Sequence, residues 1–234
     1  MVNGFAHAIR LILSRDATVI EIVTLSLRVS GIALLIATVL GVPLGAALGL
    51  SRFVGRWLAV IFIYTGMGLP PVVVGLFVYM LLSRSGPLGQ LDSPLVPQLF
   101  TTGAMITAQV ILALPLIAGF TMAAVLAVDP QLRQQVRALG ATSWQVALAT
   151  VREARVGVIV AVIAGFGAVI SEVGAVMMVG GNIAGKTRVV TTAIVLETGK
   201  GNFDLALALG IILLCIAFLI NGAVLALQGR NGPS

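Results

Sequence analysis

Charge is scarce in this sequence: Asp, Glu, Lys and Arg make up 9% of its 234 residues, against 59% hydrophobic. So few polar side chains cannot cover a soluble domain of this length, which leaves the bilayer as the solvent for most of the chain. Histidine and cysteine occur once each, as His7 and Cys215. A lone cysteine in an apolar run has no intrachain disulfide partner, and a buried structural thiol is expected there. With no paired carboxylates inside an apolar run either, no metal ligand and no catalytic residue is assigned, and a membrane-embedded enzyme is the weakest reading. The roughly ten-residue alternating segments of barrel strands are absent as well, so the spans must be helical.

What is present is five long apolar segments, at about 21–50, 57–83, 99–127, 156–179 and 203–227. Each exceeds or matches the roughly 20 apolar residues that cross a hydrocarbon core. The expectation is an all-α integral membrane protein of about five transmembrane helices, forming a single domain over 1–234. Met1–Asp16 mixes His7, Arg10, Arg15 and Asp16 with Phe5, Ile9, Ile12 and Leu13. That pattern is no cleavable signal; it predicts an interfacial amphipathic segment over 1–18. Pro43, the Pro70-Pro71 pair and Pro115 fall inside spans, where they kink helices unless neighbours compensate. Gly41, Gly45 and Gly49 repeat at four-residue spacing and predict close helix contact.

The net charge of +6 would suggest nucleic acid in a soluble protein; here it marks cytoplasmic loops and anionic lipid headgroups, with no nucleic-acid partner. Arg52 and Arg56 follow the first span, and Arg133, Arg137, Arg152 and Arg155 lie between the third and fourth. Both loops are therefore expected in the cytoplasm, with the N-terminus outside and Arg230 inside. Arg10, Arg15, Arg84, Lys186, Arg188 and Lys200 on the other side oppose that assignment.

The loop 129–155 reads DPQLRQQVRALGATSWQVALATVREAR. Asp129 can cap a helix that starts at Pro130, Gly140 can end it in the left-handed conformation, and Thr142 or Ser143 can cap a second. This helical elbow leaves Val136, Leu139, Trp144 and Val146 in need of an apolar partner, which a docked protein would supply.

Here the chain resembles the permease subunits of binding-protein-dependent ABC importers, whose cytoplasmic loop carries E-A-A-x-x-x-G-x9-I-x-L-P. RALGATSWQVAL keeps the motif glycine as Gly140, while Gln134, Gln135 and Val136 stand for Glu-Ala-Ala, and Arg152 and Glu153 replace the closing Leu-Pro. SEVGAVMMVGGNIAGKTRVVTTAIVLETGKGNFDLALALG, SRFVGRW, MGLPPVVVGLFVYMLLSRSGPLG and ILALPLIAG are similar to the molybdate and tungstate permeases, and most closely to the tungstate branch. The resemblance implies a type I ABC importer permease fold that works as a homodimer, with a solute route at the subunit interface. It further implies two ATP-binding cassette subunits, which use ATP and Mg and dock on a coupling loop that here comprises Arg133, Arg137, Leu139, Gly140, Ala141 and Trp144. An extracytoplasmic binding protein would deliver the oxyanion, tungstate ahead of molybdate, and the permease itself would hold no cofactor. The alternative is an autonomous secondary transporter or channel, which predicts inverted repeats and interrupted helices near midplane; no convincing internal repeat is found.

Gly180-Gly-Asn-Ile-Ala-Gly-Lys186-Thr187 matches the phosphate-loop pattern G-x4-G-K-[ST], but follows a membrane span and not a buried strand. A better expectation is that Lys186, Arg188 and the amides opening a helix from about Thr187 to Glu197 form a positive outer mouth for a dianion; a solvated loop contacting the binding protein is the competing reading. Arg28 and Glu172 are charges well within spans, both about 10 Å below the outer boundary by helical rise, and are expected to pair within or between subunits. Glu172 is unsuited to hold an oxyanion because like charges repel. Ser171, Asn182, Thr191 and Thr192 are neutral donors that could line a low-affinity route.

Overall fold

A computed structural model describes residues 16–51, 53–91, 93–94 and 96–229. The interfacial segment expected over 1–18 lies outside the described residues up to Arg15, as do Arg52 and Arg230. Among the described residues every regular element is a helix: α1 Ala17–Leu50, α2 Arg56–Met67, α3 Pro71–Leu82, α4 Thr102–Leu126, α5 Pro130–Ala138, α6 Ser143–Glu153, α7 Arg155–Ile170, α8 Gly174–Gly180, α9 Val190–Gly199 and α10 Phe203–Gly229. Three stretches, Ala17–Leu50, Thr102–Leu126 and Phe203–Gly222, are long and apolar enough to cross a membrane, and up to five spans result if two bent helix pairs each count as one.

One pair, α2 and α3 at 105°, corrects an expected boundary; the other, α6 and α7 at 66°, joins the elbow to the fourth span. The second expected span, 57–83, is two helices, because Pro70 is extended (φ −63°, ψ 124°) and Pro71 opens α3. Proline suits the first helical position, and the residue before it avoids the helical region, so the Pro-Pro pair restarts a helix and does not merely kink one. The fourth, 156–179, is interrupted at Ser171-Glu172-Val173 between α7 and α8. Pro43 and Pro115 remain inside unbroken helices. Asp16 starts α1 earlier than expected, since its Oδ1 accepts from the Thr18 and Val19 amides at 2.9 and 3.2 Å.

The chain forms two compact units, with α1, α4 and α7 contributing residues to both. Residues 34–69 and 110–168 make one. Its core is the glycine stripe of α1 lying on α4: a Cβ at Gly41, Gly45 or Gly49 would stand 3.1 Å from Ile117 Cβ, 2.8 Å from Thr121 Cβ and 2.9 Å from Val125 Cγ1. Three glycines four apart thus meet three residues four apart, which is how small residues let helix backbones close on each other in lipid. Leu48, Ile63, Ala118 and Met122 extend this core. Two spans end alike, for Arg56 Nε donates to Leu48 O and Arg133 Nη2 to Val125 O, each at 2.7 Å. Each guanidinium so engages a carbonyl in the last turn of a helix, where a cation also suits the dipole.

The other unit comprises residues 1–33, 70–109 and 169–234. Its α3 packs on α8, and its α9 on α10. Val19, Ile22, Val190, Ala193 and Leu209 form a buried cluster. Cys215, expected buried, is exposed on α10, whose apolar window is only 17% buried. In a membrane protein an apolar run does not imply burial within its own chain, because lipid or a partner subunit can cover it.

Candidate functional site

The break in the fourth span exposes backbone that a helix would have satisfied, and such breaks persist in membranes only where other groups supply the missing partners. Three side chains do so. Gln109 Nε2 on α4 donates to Val169 O at 3.1 Å, Thr191 Oγ1 on α9 donates to Glu172 O at 2.8 Å, and Glu172 Oε1 accepts from Ala175 N, in the first turn of α8, at 2.8 Å. Gln109, Glu172 and Thr191 are all buried, and Gln109 Oε1 is a buried acceptor without a partner. Gln109 was missed in the sequence; the signal was a lone amide inside a 25-residue apolar helix.

Several expected site residues therefore stand differently. Arg28 is exposed on α1 and makes no ion pair with Glu172 among the described residues; the Glu172 carboxylate instead caps α8. Thr191 and Thr192 do not offer free hydroxyls to a route, since Thr191 holds Glu172 O, while Thr192 Oγ1 donates to Val189 O and accepts from Val189 N, both at 3.1 Å. Ser171 is exposed beside the break. Asn182 is in the left-handed region (φ 50°), its Nδ2 donating to Thr192 O at 3.3 Å and its Oδ1 buried without a partner.

The glycine-rich loop is closed on itself. The amides of Lys186, Thr187 and Arg188 all donate to Ile183 O, at 3.2, 2.9 and 3.0 Å, and Thr187 Oγ1 donates to Gly180 O at 2.6 Å while accepting from Ile183 N at 2.9 Å. Amides turned onto one carbonyl cannot cradle a phosphate, and helix α8, not a strand, precedes the loop. The following helix opens at Val190, not Thr187, and the Val190 amide donates to Ser26 Oγ at 2.7 Å. The positive mouth expected there thus loses its amides and keeps its cations, with Lys186 exposed and Arg188 half-buried.

Beside them lies a cluster the sequence reading did not assemble. Glu197 is buried, with Oε1 accepting from Lys200 Nζ and Oε2 from Asn202 Nδ2, each at 2.9 Å. The Lys200 hydrogen bond holds the Glu197 carboxyl below its ordinary value against the opposing effect of burial, with help from Asn202 and from the charges of Lys200 and Arg188.

In the other unit the elbow folds as two capped helices. Asp129 Oδ1 accepts from Gln131 N at 2.8 Å, and Thr142 N donates to Gln145 Oε1 at 2.8 Å while Gln145 N donates to Thr142 Oγ1 at 3.4 Å. Gly140 takes φ 83° between them, with Ala141 following. Leu139 and Trp144 are 87% and 76% exposed. Val136 is half-buried, and Val146 is buried inside the chain, so it needs no outside partner. Arg137 is exposed, whereas Arg133 is turned back to Val125 O.

Broken apolar helices, buried polar staples at the break and a polar elbow with exposed apolar side chains are the features a functional assignment has to account for. The chain belongs to the binding-protein-dependent transport system inner membrane component family, whose profile matches residues 41–232. A probable anion ABC transporter permease protein of Haloferax volcanii is 44% identical over 222 residues, covering 91% of this chain and 94% of its own. The tungstate uptake system permease protein TupB of Peptoclostridium acidaminophilum is 40% identical over 226 residues, 97% of each chain. In fold, the inward-facing MetNI methionine ABC transporter matches with a TM-score of 0.76 at 18% identity, over 94% of this chain and 99% of that one. This is a multi-pass permease subunit of an ABC importer: a separate ATPase hydrolyses the nucleotide, and a binding protein is its other partner. Interrupted helices, the feature expected of an autonomous secondary transporter, thus occur here in an ABC permease.

Proposed function

We propose that the chain carries an oxyanion inward, tungstate ahead of molybdate, as one of two identical subunits flanking a central route. The observation that carries the substrate is the similarity, end to end, to a tungstate uptake permease. The N-terminus lies outside and the C-terminus inside, as the arginines after the first span and in the loop 129–155 favour, and lipid covers the exposed apolar faces. Two ATPase subunits, using ATP and Mg, engage the elbows through Leu139, Gly140, Ala141 and Trp144, with Arg137 at the edge of that contact and Arg133 bracing it against α4. Leu139 and Trp144 support this reading, because exposed apolar side chains on a polar helix pair call for cover.

On the opposite face, Lys186 and Arg188 receive the dianion from the binding protein, and Arg28 lines the route between subunits. An exposed cation on a membrane helix needs a wet cavity or an anion, and a passing oxyanion supplies one. Ser171 and Asn182 border the route, while Thr191 positions the broken span that gates it and Thr192, whose backbone carbonyl accepts from Asn182, holds the adjoining loop. ATP binding rocks the subunits between states by binding one better than the other.

The test is uptake into proteoliposomes containing permease, ATPase and binding protein, with tungstate, molybdate and sulfate in competition. Tungstate is expected to win; preference for sulfate removes the substrate assignment, and uptake without the ATPase removes the mechanism.

A further inference from the structure

The last turns of α1, together with α5 and α6, enclose a groove of about 500 Å³. Its wall is apolar, with Ala46 and Leu50 from α1 and Val151 from α6, and its rim carries Arg133, Arg137 and Trp144, with no carboxylate among the lining residues. Arg133 and Arg137 are four apart and share one face of α5. Arg133 Nε is buried without a partner, and Arg137 is exposed.

A wall on a membrane-crossing helix, ending at two guanidinium groups and an indole, has the polarity of an amphiphile with a negative head. We propose that the groove binds an anionic phospholipid, its acyl chain along α1 and its phosphate at Arg137 and Arg133. Basic pockets where spans meet the cytoplasmic surface suit such headgroups, and indole prefers the same boundary. An acidic segment from a water-borne protein would match the arginines but leave the wall without apolar cover; a neutral lipid would cover the wall but leave the charges unmatched. The site places a lipid headgroup at the joint that receives the motor, and it rests on the reading that the elbow lies at the membrane boundary.

The sequence holds two tryptophans, so Trp57→Phe leaves Trp144 as the reporter. The full chain would be reconstituted in phosphatidylcholine vesicles containing equal mole fractions of brominated phosphatidylglycerol or brominated phosphatidylcholine. Quenching of Trp144 should show preference for phosphatidylglycerol of about fivefold per guanidinium, and Arg137→Gln should reduce it by about fivefold. Arg137 is the residue to change because Arg133 also caps α4. Equal quenching by both lipids, or a preference that survives Arg137→Gln, overturns the site while leaving the elbow at the boundary. Absent quenching also overturns it, with blue emission marking a second copy over the groove and red emission an elbow in water, which leaves the coupling reading standing. The preference should persist when tryptophan-free ATPase subunits are added; its loss would assign the groove to the motor.

Discussion

Gln109 and Val169, 60 positions apart, are joined by a buried 3.1 Å hydrogen bond from the glutamine amide to the carbonyl that ends a broken membrane helix. The bond ties α4 to the α7–α8 break, the one place in the fourth span where backbone must find side-chain partners.

Gln109→Leu keeps the volume and removes the donor. With Val169 O left only the longer 3.4 Å contact from Glu172 N, the loss should be about 1–3 kcal/mol, read as a lower unfolding temperature in detergent. An unchanged midpoint would show that the break does not need the glutamine.

Glu172 caps α8 through Oε1, a role an amide oxygen also fills. Glu172→Gln should therefore retain stability and assembly, and Glu172→Ala should lose about 1 kcal/mol. If both variants lose the complex equally, the charge itself matters and an ion pair across subunits returns to consideration.

The α3–α8 seam depends on absence of a side chain at Gly75, where a Cβ would lie 2.6 Å from Ala175 Cα. Gly75→Ala should separate the two helices and destabilise by about 1–3 kcal/mol, as overpacking does. Thermal unfolding beside Gly167→Ala, where a Cβ meets nothing within 4 Å, provides the control.

At Gly140 a Cβ also meets nothing within 4 Å, so strain there comes from φ 83° alone. Gly140→Val should cost roughly 1–2 kcal/mol locally and lower the tungstate transported per ATP hydrolysed. Coupling that survives the change would argue against the elbow as the joint.

The Glu197 carboxyl sits below its ordinary value of 4.5 because Lys200 hydrogen-bonds to it. A depressed acid binds fewer protons folded than unfolded, so its contribution is complete above about pH 4.5 and is lost as pH falls through the folded value. The difference in unfolding temperature between the protein and Glu197→Gln should be constant at neutral pH and shrink below pH 4.5. A difference that does not change with acidification would show that the cluster acts by packing alone.

Composition and periodicity were enough for the bilayer, the all-helical class and the elbow, because each depends on local quantities: apolar length, the Asp129 and Thr142 caps, and the left-handed turn at Gly140. The stripe Gly41-Gly45-Gly49 likewise announced a close helix contact, though not that Ile117, Thr121 and Val125 would meet it. What the tertiary structure alone decided was where polar groups find partners. Arg28 and Glu172 match in depth when both are counted along unbroken helices, yet Glu172 lies in the break and its carboxylate turned to Ala175 N. Thr191 and Thr192 read as available donors until the break in the fourth span placed orphaned backbone beside Thr191 and the start of α9 turned Thr192 onto Val189. Hydrogen bonds between residues 19 or 60 positions apart depend on how helices pack, and an apolar sequence, in which nearly any face can meet lipid, carries little information about that packing.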